Sequence, residues 1–175
     1  MRTACLHGPE STGKTTLARE LAVHFSSVVV PEFGRLYCEI FGNACDVEDL
    51  RAIRHGHDLF AAAGRRKARG ILILDTDAVM TAIWADILTG ARPADLDRID
   101  DPADLYLLCD IDVPFAPDSI RYFPDASMRA KMFTQCRAEL EKRKLAFVTI
   151  RGSRGQRFAE AVKAITEHFP ELAAA

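Results

Sequence analysis

The chain has 175 residues, enough to bury a sizeable hydrophobic core, and its mixture of 49% hydrophobic and 27% charged residues is ordinary for a globular domain. The formal net charge of −2 provides no global positive field, which argues against a nucleic-acid partner. No apolar run approaches the roughly 20 residues that a membrane-spanning helix requires, which argues against a membrane partner. We therefore expect one domain over residues 1–175, and the sequence leaves its oligomeric state open.

The cysteines and the start of the chain both indicate a cytoplasmic protein. The chain leads from its first two residues straight into an apolar strand rather than into a signal peptide. We expect Cys5 and Cys109, which fall in strand-like runs, to lie in the core. We expect His55 and His57 to lie on a surface helix rather than to bind a metal. The five cysteines lack a C-x-x-C pair and fit neither a disulfide framework nor a zinc site: Cys5, Cys38, Cys45, Cys109 and Cys136.

Short β-branched and aliphatic runs alternate with longer helical patterns, which predicts an α/β fold with a five-stranded parallel sheet flanked by helices. The predicted strands are Thr3–Leu6, Val28–Val30, Ile71–Leu74, Leu105–Cys109 and Phe147–Ile150. The predicted helices are Thr16–Phe25, Arg35–Phe41, Val47–Arg69, Ala78–Leu88, Met128–Arg143 and Gln156–His168. Asp46 and Ser127 are the expected N-caps, and Thr89–Pro102 is an expected loop. Functional groups should follow the carboxyl ends of the strands.

The first predicted strand leads into G-P-E-S-T-G-K-T, between Gly8 and Thr15. This spacing between a strand and a helix predicts a phosphate-binding loop, because its glycines let backbone amides turn toward a polyphosphate and the following helix adds its dipole. We expect Lys14, as an exposed loop residue, to reach the terminal phosphates of ATP, and the Thr15 hydroxyl to bind Mg²⁺. The residues predicted to contact the nucleotide are Gly8, Pro9, Glu10, Ser11, Thr12, Gly13, Lys14, Thr15 and Thr16.

The second predicted strand is followed by P-E-F-G-R, which contains Glu32 and Arg35. In this architecture the end of the strand lies across the cleft from the phosphate loop, where a phosphate acceptor would bind. Glu32 could accept the proton of an attacking hydroxyl or hold a sugar diol. Arg35 could bind an anionic group of the acceptor or pair with Glu39 one helical turn further on.

The third predicted strand ends in Asp75-Thr-Asp77. Asp75 is the expected carboxylate on the magnesium side, and its alternative role is the N-cap of the following helix. Asp77 has the same two alternatives, a carboxylate on the magnesium side or an N-cap, with little to separate them. Trp84 on that helix could belong to the core or could stack on a flat heterocycle of the acceptor.

A proline-rich segment after the fourth strand, at approximately residues 112–127, has the composition of a lid. An arginine that closes over the transferred phosphate would stabilise its charge and exclude water. Arg121 is the first candidate and Arg129 the second, while a surface pair between Arg121 and Asp118 is the alternative. After the fifth strand, Gly152 could let the backbone approach the adenine, and Arg157 could stack on it.

Four segments occur in order over nearly the whole chain: Gly8-Pro-Glu-Ser-Thr-Gly-Lys-Thr-Thr-Leu, Pro31-Glu-Phe-Gly-Arg35, Asp75-Thr-Asp77 and Leu105-Tyr-Leu-Leu-Cys-Asp-Ile-Asp-Val-Pro114. Together they resemble the ribosylnicotinamide kinase domain of NadR-type proteins. The resemblance implies a P-loop NTPase fold like that of nucleoside and nucleotide kinases, and ATP-dependent phosphorylation of the 5′-hydroxyl of ribosylnicotinamide. It also implies that Glu32 or Asp77 meets the ribose and that Arg121 belongs to a mobile lid.

Two other functions fit the same motifs. The chain could be a nucleotide-sensing ATPase module that regulates a partner, or a P-loop kinase for another nucleoside, a nucleotide or a sugar acid. The adenylyltransferase and DNA-binding portions of NadR-type proteins do not precede the kinase-like part in this sequence, so the acceptor follows from the resemblance less directly than the fold and the use of ATP.

Overall fold

The computed structural model describes residues 1–115 and 125–173, and a parallel β-sheet lies at its centre. The strand order is β2-β3-β1-β4-β5, and every pair of neighbouring strands is parallel, which confirms the predicted sheet. Among the described residues, no helix combines the length and the apolar character needed to cross a bilayer. The five strands are β1 (Arg2–His7), β2 (Val29–Val30), β3 (Ile71–Asp75), β4 (Leu105–Cys109) and β5 (Phe147–Ile150).

Seven α-helices and a short 3₁₀-helix are present in the described part of the chain. They are α1 (Lys14–His24), α2 (Phe33–Phe41), α3 (Val47–Arg65), α4 (Ala78–Thr89), α5 (Ala94–Asp97), α6 (Ala126–Lys142), α7 (Arg154–His168) and the 3₁₀-helix Pro170–Leu172. The predicted loop Thr89–Pro102 therefore contains a short helix. The prediction that Val47–Arg69 is one helix was four residues too long, because the chain turns at the end of α3 to enter β3.

The two predicted N-caps had different outcomes. Asp46 caps α3 through a capping box, in which its side chain accepts from the Asp49 backbone and the Asp49 side chain accepts from the Asp46 backbone. The prediction of Ser127 as an N-cap was wrong. Asp125 caps α6 instead, and its Oδ1 accepts a hydrogen bond from the Ser127 backbone N–H.

Both faces of the sheet are buried, as the continuous apolar runs of the strands predict. Leu21 of α1 and Ile165 of α7 contribute to the core on one face, and Ile83 of α4 contributes on the other. Cys5 and Cys109 are fully buried on opposite faces, which confirms their placement in the core.

The position of the cleft follows from the strand order. The chain leaves β1 at the centre of the sheet, builds β2 and β3 on one side and then crosses to β4 and β5 on the other. A crevice forms at the carboxyl ends of strands where the order reverses in this way. The segments that follow β1, β2 and β3 therefore meet at one edge of the sheet.

Gly8→Ala should destabilise the fold more than Gly90→Ala. Both glycines have positive φ angles, +121° and +65°, so alanine at Gly90 alone should cost about 1–2 kcal/mol. A Cβ at Gly8 would also lie 2.7 Å from the Cys109 carbonyl oxygen, whereas a Cβ at Gly90 meets nothing within 4 Å. We expect an additional loss of about 2 kcal/mol at Gly8, measured by urea unfolding; equal losses in the two variants would contradict this.

Candidate functional site

The segment between β1 and α1 forms the predicted loop, and its shape depends on residues with positive φ. Gly8 has φ +121°, Ser11 +57° and Gly13 +80°, and Gly13 is the N-cap of α1. The Thr12 hydroxyl donates to the Pro9 carbonyl at 2.8 Å, which closes the turn. No side chain of the described residues caps α1, so the amides of its first turn face the cleft as donors for an anion.

Lys14 is buried rather than exposed, contrary to the sequence-based expectation. Only 8% of the residue is accessible to solvent. Its Nζ donates to the Gly8 carbonyl at 2.9 Å and to the Pro9 carbonyl at 2.7 Å, because the loop folds back over the lysine. An ammonium group has three donors, and two of them have partners in the described part of the chain, so the third could be directed at a phosphate oxygen.

Asp75 is the last residue of β3 and pairs in register with Leu6, immediately before the loop. Burial raises the pKa of Asp75, and the nearby Thr15 hydroxyl opposes this shift. Its Oδ1 has no hydrogen-bond partner among the described residues. A buried carboxylate oxygen beside a helix-end hydroxyl is the donor set that Mg²⁺ prefers, so the residues present fit the predicted metal position.

Glu32 occupies the N-cap position of α2, directly after β2, and faces the same cleft. Burial raises the pKa of Glu32 to about 7, with the nearby Asp75 and Glu10 adding to the shift and Lys14 opposing it. A carboxyl group that titrates near neutral pH is suited to accept a proton from a hydroxyl.

The cleft encloses about 200 Å³ between the phosphate loop and side chains from α2, α3 and α4. Trp84 packs against the core and also lines this cleft, and its stacking on an acceptor ring stays a prediction. Arg35 lines the cleft as well, and its Nε donates to Glu39 Oε1 at 3.0 Å, as the alternative for Arg35 predicted. The structure thus brings Glu32, Arg35 and Trp84 together with the loop.

Asp77 is not among the residues that line this cleft, so its predicted contact with a substrate was wrong. Its Oδ1 accepts from the Val79 N–H at 3.0 Å and caps α4. Its Oδ2 accepts from the Tyr106 hydroxyl at 2.6 Å. Because both oxygens have partners within the fold, the N-cap alternative is the one that the geometry supports.

Arg129 lies close to the phosphate loop, as its predicted nucleotide contact requires. Its Nη2 donates to the Ser11 carbonyl at 3.4 Å and to the Val113 carbonyl at 3.3 Å. Its guanidinium also lies over the Phe115 ring, 5.6 Å from the centroid. Arg121 and residues 116–124 of the predicted lid lie outside the described part of the chain.

Arg157 joins three backbone segments by hydrogen bonds and does not present its guanidinium for stacking on a base. Its guanidinium is buried and donates to the Thr12 carbonyl at 3.1 Å, the Gly152 carbonyl at 2.9 Å and the Asp110 carbonyl at 2.9 Å, and it pairs with Asp112. The predicted stacking of Arg157 on adenine was wrong, because these bonds hold the group inside the fold. The Gly152 N–H donates to Asp112 Oδ2 at 2.6 Å, and its approach to adenine stays a prediction.

Several lining residues of the cleft were not predicted from the sequence, among them the polar residues His57 and Thr76. The prediction that His57 lies on the surface was wrong, since only 5% of the residue is accessible and burial lowers its pKa to about 4. The three- and four-residue spacing of Leu50, Ile53 and His57 places this histidine on the apolar side of α3, and that spacing could have identified it. No comparable pattern identifies Thr76.

A family model described as AAA domain matches residues 3–157, which is most of the chain. The chain belongs to this AAA domain family. The trifunctional NAD biosynthesis/regulator protein NadR of Escherichia coli (strain K12) is 27% identical over 157 residues, which cover 86% of this chain and 38% of that protein. The resemblance to NadR-type proteins that the motifs predict is therefore confirmed, and the chain spans well under half of that relative.

Two solved structures show the same fold. A crystal structure of NadR protein in complex with NR has a TM-score of 0.72 at 22% identity, and the match covers 95% of this chain and 51% of that chain. A thymidylate kinase from Ehrlichia chaffeensis has a TM-score of 0.66 at 16% identity, over 94% of this chain and 98% of that chain. The predicted P-loop fold of nucleoside and nucleotide kinases is confirmed.

Glu32 should make the stability of the protein depend on pH between about 4.5 and 7. Its pKa is raised from 4.5 to about 7 in the folded state, so the folded protein binds this proton more tightly than the unfolded chain does. The stabilisation is fully present below pH 4.5 and is lost as the pH rises through 7. Urea unfolding across this range should show a steeper fall for the wild type than for Glu32→Gln.

The control for this measurement is Glu141→Gln, an exposed glutamate on α6 whose ion-pair partner, Arg137, is also exposed. It should keep the wild-type slope of unfolding free energy against pH. If Glu32→Gln also keeps that slope, the raised pKa of Glu32 is wrong.

Proposed function

We propose that the chain is an ATP-dependent small-molecule kinase that phosphorylates the 5′-hydroxyl of a nucleoside, and that the nucleoside is ribosylnicotinamide. The observation that carries this proposal is the position of Glu32. Its carboxyl group lines the same cleft as the phosphate loop, and its pKa of about 7 lets it exchange a proton near neutral pH. An acceptor hydroxyl bound in this cleft would meet both a base and the terminal phosphate.

The phosphate loop would hold the triphosphate of ATP. The amides of the first turn of α1, which no side chain in residues 1–115 and 125–173 caps, face the cleft, and the third donor of Lys14 would extend the same site toward the terminal phosphate. Arg129, which contacts the Ser11 carbonyl, adds positive charge beside the loop. Thr15 and Asp75 would hold Mg²⁺, which neutralises charge on the phosphate oxygens during transfer.

The transfer step uses Glu32 on the acceptor side. Glu32 accepts the proton of the 5′-hydroxyl while that oxygen attacks the terminal phosphorus. The bond from this phosphorus to its bridging oxygen breaks, and ADP leaves with the electron pair. The products are the 5′-phosphate of the nucleoside and ADP. Glu32 then releases its proton to solvent.

Ribosylnicotinamide is favoured as the acceptor by the similarity to NadR, of which one solved structure is a complex with NR. Its flat cationic ring would stack on Trp84, which lines the cleft. Glu32 would contribute negative charge to the same pocket. The cleft therefore combines an aromatic surface and an acid for the acceptor with a phosphate loop for the donor.

Glu32→Gln should lower the rate of phosphate transfer to ribosylnicotinamide by at least about a hundredfold, because the amide cannot accept the proton. The affinity for ATP should change little, since the phosphate loop is intact. Transfer is measured with labelled ATP and a panel of nucleosides, and ATP affinity is measured by calorimetry. Glu141→Gln, an exposed glutamate on α6 whose partner Arg137 is also exposed, is the control and should behave as the wild type.

Three results would decide between the candidate functions. Transfer to ribosylnicotinamide alone supports the proposal, and transfer to another nucleoside would replace the acceptor but keep the kinase. ATP binding without transfer to any alcohol would favour a nucleotide-sensing module, which needs no carboxylate opposite the terminal phosphate. Unchanged transfer in Glu32→Gln would remove this residue from the mechanism.

Asp75→Asn should raise the Mg²⁺ concentration required for half-maximal transfer by at least about tenfold, because the carboxylate oxygen beside Thr15 is lost as a partner of the ion. The measurement is a Mg²⁺ titration of the transfer rate at saturating ATP. Asp86→Asn, at an exposed position on α4, serves as the control. An unchanged Mg²⁺ requirement in Asp75→Asn would assign the ion to other residues.

A further inference from the structure

His57 and Thr76 form the wall between the cleft and a second cavity. This second cavity has a volume of about 310 Å³ and lies between α3 and the start of α4, with Arg54 and Asp77 among its lining residues. His57 and Thr76 line both spaces. Each is more than nine-tenths buried, and each carries polar atoms.

Thr76 carries two features that cost free energy in the folded state. Its φ angle is +68°, a left-handed conformation that is strained for a β-branched residue. Its Oγ1 is buried and has no hydrogen-bond partner among the described residues. The backbone is held in place by a bond from the Thr76 N–H to the Leu6 carbonyl at 3.2 Å. Strain and an unsatisfied hydroxyl at one residue of a cleft indicate a group that is positioned for a ligand.

His57 presents a neutral imidazole to the same wall. Burial lowers its pKa to about 4, with Arg54 contributing in the same direction. Its ring packs edge-on against Phe33, with 6.5 Å between the ring centroids. A neutral imidazole has one N–H donor and one nitrogen acceptor, so it can both give and receive a hydrogen bond.

We propose that His57 and Thr76 determine acceptor specificity by recognising an uncharged carboxamide on the acceptor ring and discriminating against a carboxylate at the same place. This inference rests on the proposed kinase function. A carboxamide offers one carbonyl acceptor and an NH₂ donor, which the imidazole and the hydroxyl can satisfy together. A carboxylate offers hydrogen-bond acceptors only. It therefore cannot donate a hydrogen bond to the lone pair of the imidazole nitrogen, as the NH₂ group of a carboxamide can.

Charge acts in the same direction as hydrogen bonding. A carboxylate on the acceptor would bring a further acidic group into a cleft that Glu32 already lines. Transfer of that charge from water costs free energy unless it is paired. His57 and Thr76 carry no charge that could pair with it, and Arg35, which lines the same cleft, already pairs with Glu39. A carboxamide avoids this cost.

The test compares ribosylnicotinamide with its carboxylate analogue, ribosylnicotinic acid, in steady-state transfer assays with the purified chain. We expect the wild type to prefer the carboxamide by at least about tenfold in kcat/KM. Thr76→Val and His57→Phe should each reduce this preference severalfold, mainly through a higher KM for the carboxamide. His55→Phe, at an exposed position on the same helix, is the matched control and should keep the preference.

Stability measurements separate recognition from a structural role. Thr76→Val keeps the branched shape and removes a hydroxyl that has no partner among the described residues, so its melting temperature should stay the same or rise. His57→Gln retains a donor and an acceptor, should preserve part of the preference, and serves as a second variant in case His57→Phe does not fold. The inference would be overturned if Thr76→Val, His57→Gln and a folded His57→Phe all kept the wild-type preference for the carboxamide over the carboxylate.

The remaining outcomes distinguish this inference from the proposed function. Equal transfer to both acceptors by the wild type, or equal loss of transfer to both in Thr76→Val, overturns the inference and leaves the kinase in place. Transfer to neither acceptor with ATP binding intact overturns both, because the wall then has no ribosylated ring to recognise.

Discussion

The close contact between the phosphate loop and the end of β4 is the constraint on which the rest of the cleft depends. Gly8 approaches the Cys109 carbonyl so closely that a side chain would not fit between them. Arg157 then ties the loop to the segments that follow β4 and β5, through the Thr12, Asp110 and Gly152 carbonyls. The loop is thereby fixed to three strands of the sheet, so that the residues facing it across the cleft meet a rigid surface.

Three basic side chains also set the direction of the loop's peptide groups. Lys14, Arg129 and Arg157 donate to the carbonyl oxygens of residues 8, 9, 11 and 12. In a trans peptide the carbonyl and the following N–H point in opposite directions. The amides of residues 10, 12 and 13 are therefore turned away from these cations, as an anion site made of main-chain donors requires.

The carboxyl groups near the cleft differ in role because their surroundings differ. Asp77 has a structural role, since it caps α4 and accepts a hydrogen bond from the Tyr106 hydroxyl. Asp75 lies beside Thr15, where a buried carboxylate oxygen fits a metal ion. Glu32 follows the short strand β2 on the far side of the cleft, and burial brings its pKa to about 7. Sequence patterns alone left each of these three assignments with more than one alternative.

The sequence by itself determined the five strands, the phosphate loop and the family, because buried parallel strands are continuously apolar and the loop's glycines and lysine occur at a fixed spacing. It could not determine which polar groups are already satisfied within the fold. Asp77 and Arg157 have partners that are distant in the chain, at Tyr106 and Thr12, and only the tertiary structure brings them together. Likewise, only the tertiary structure shows that Lys14 is buried, because burial depends on what packs over a residue and not on its neighbours in sequence.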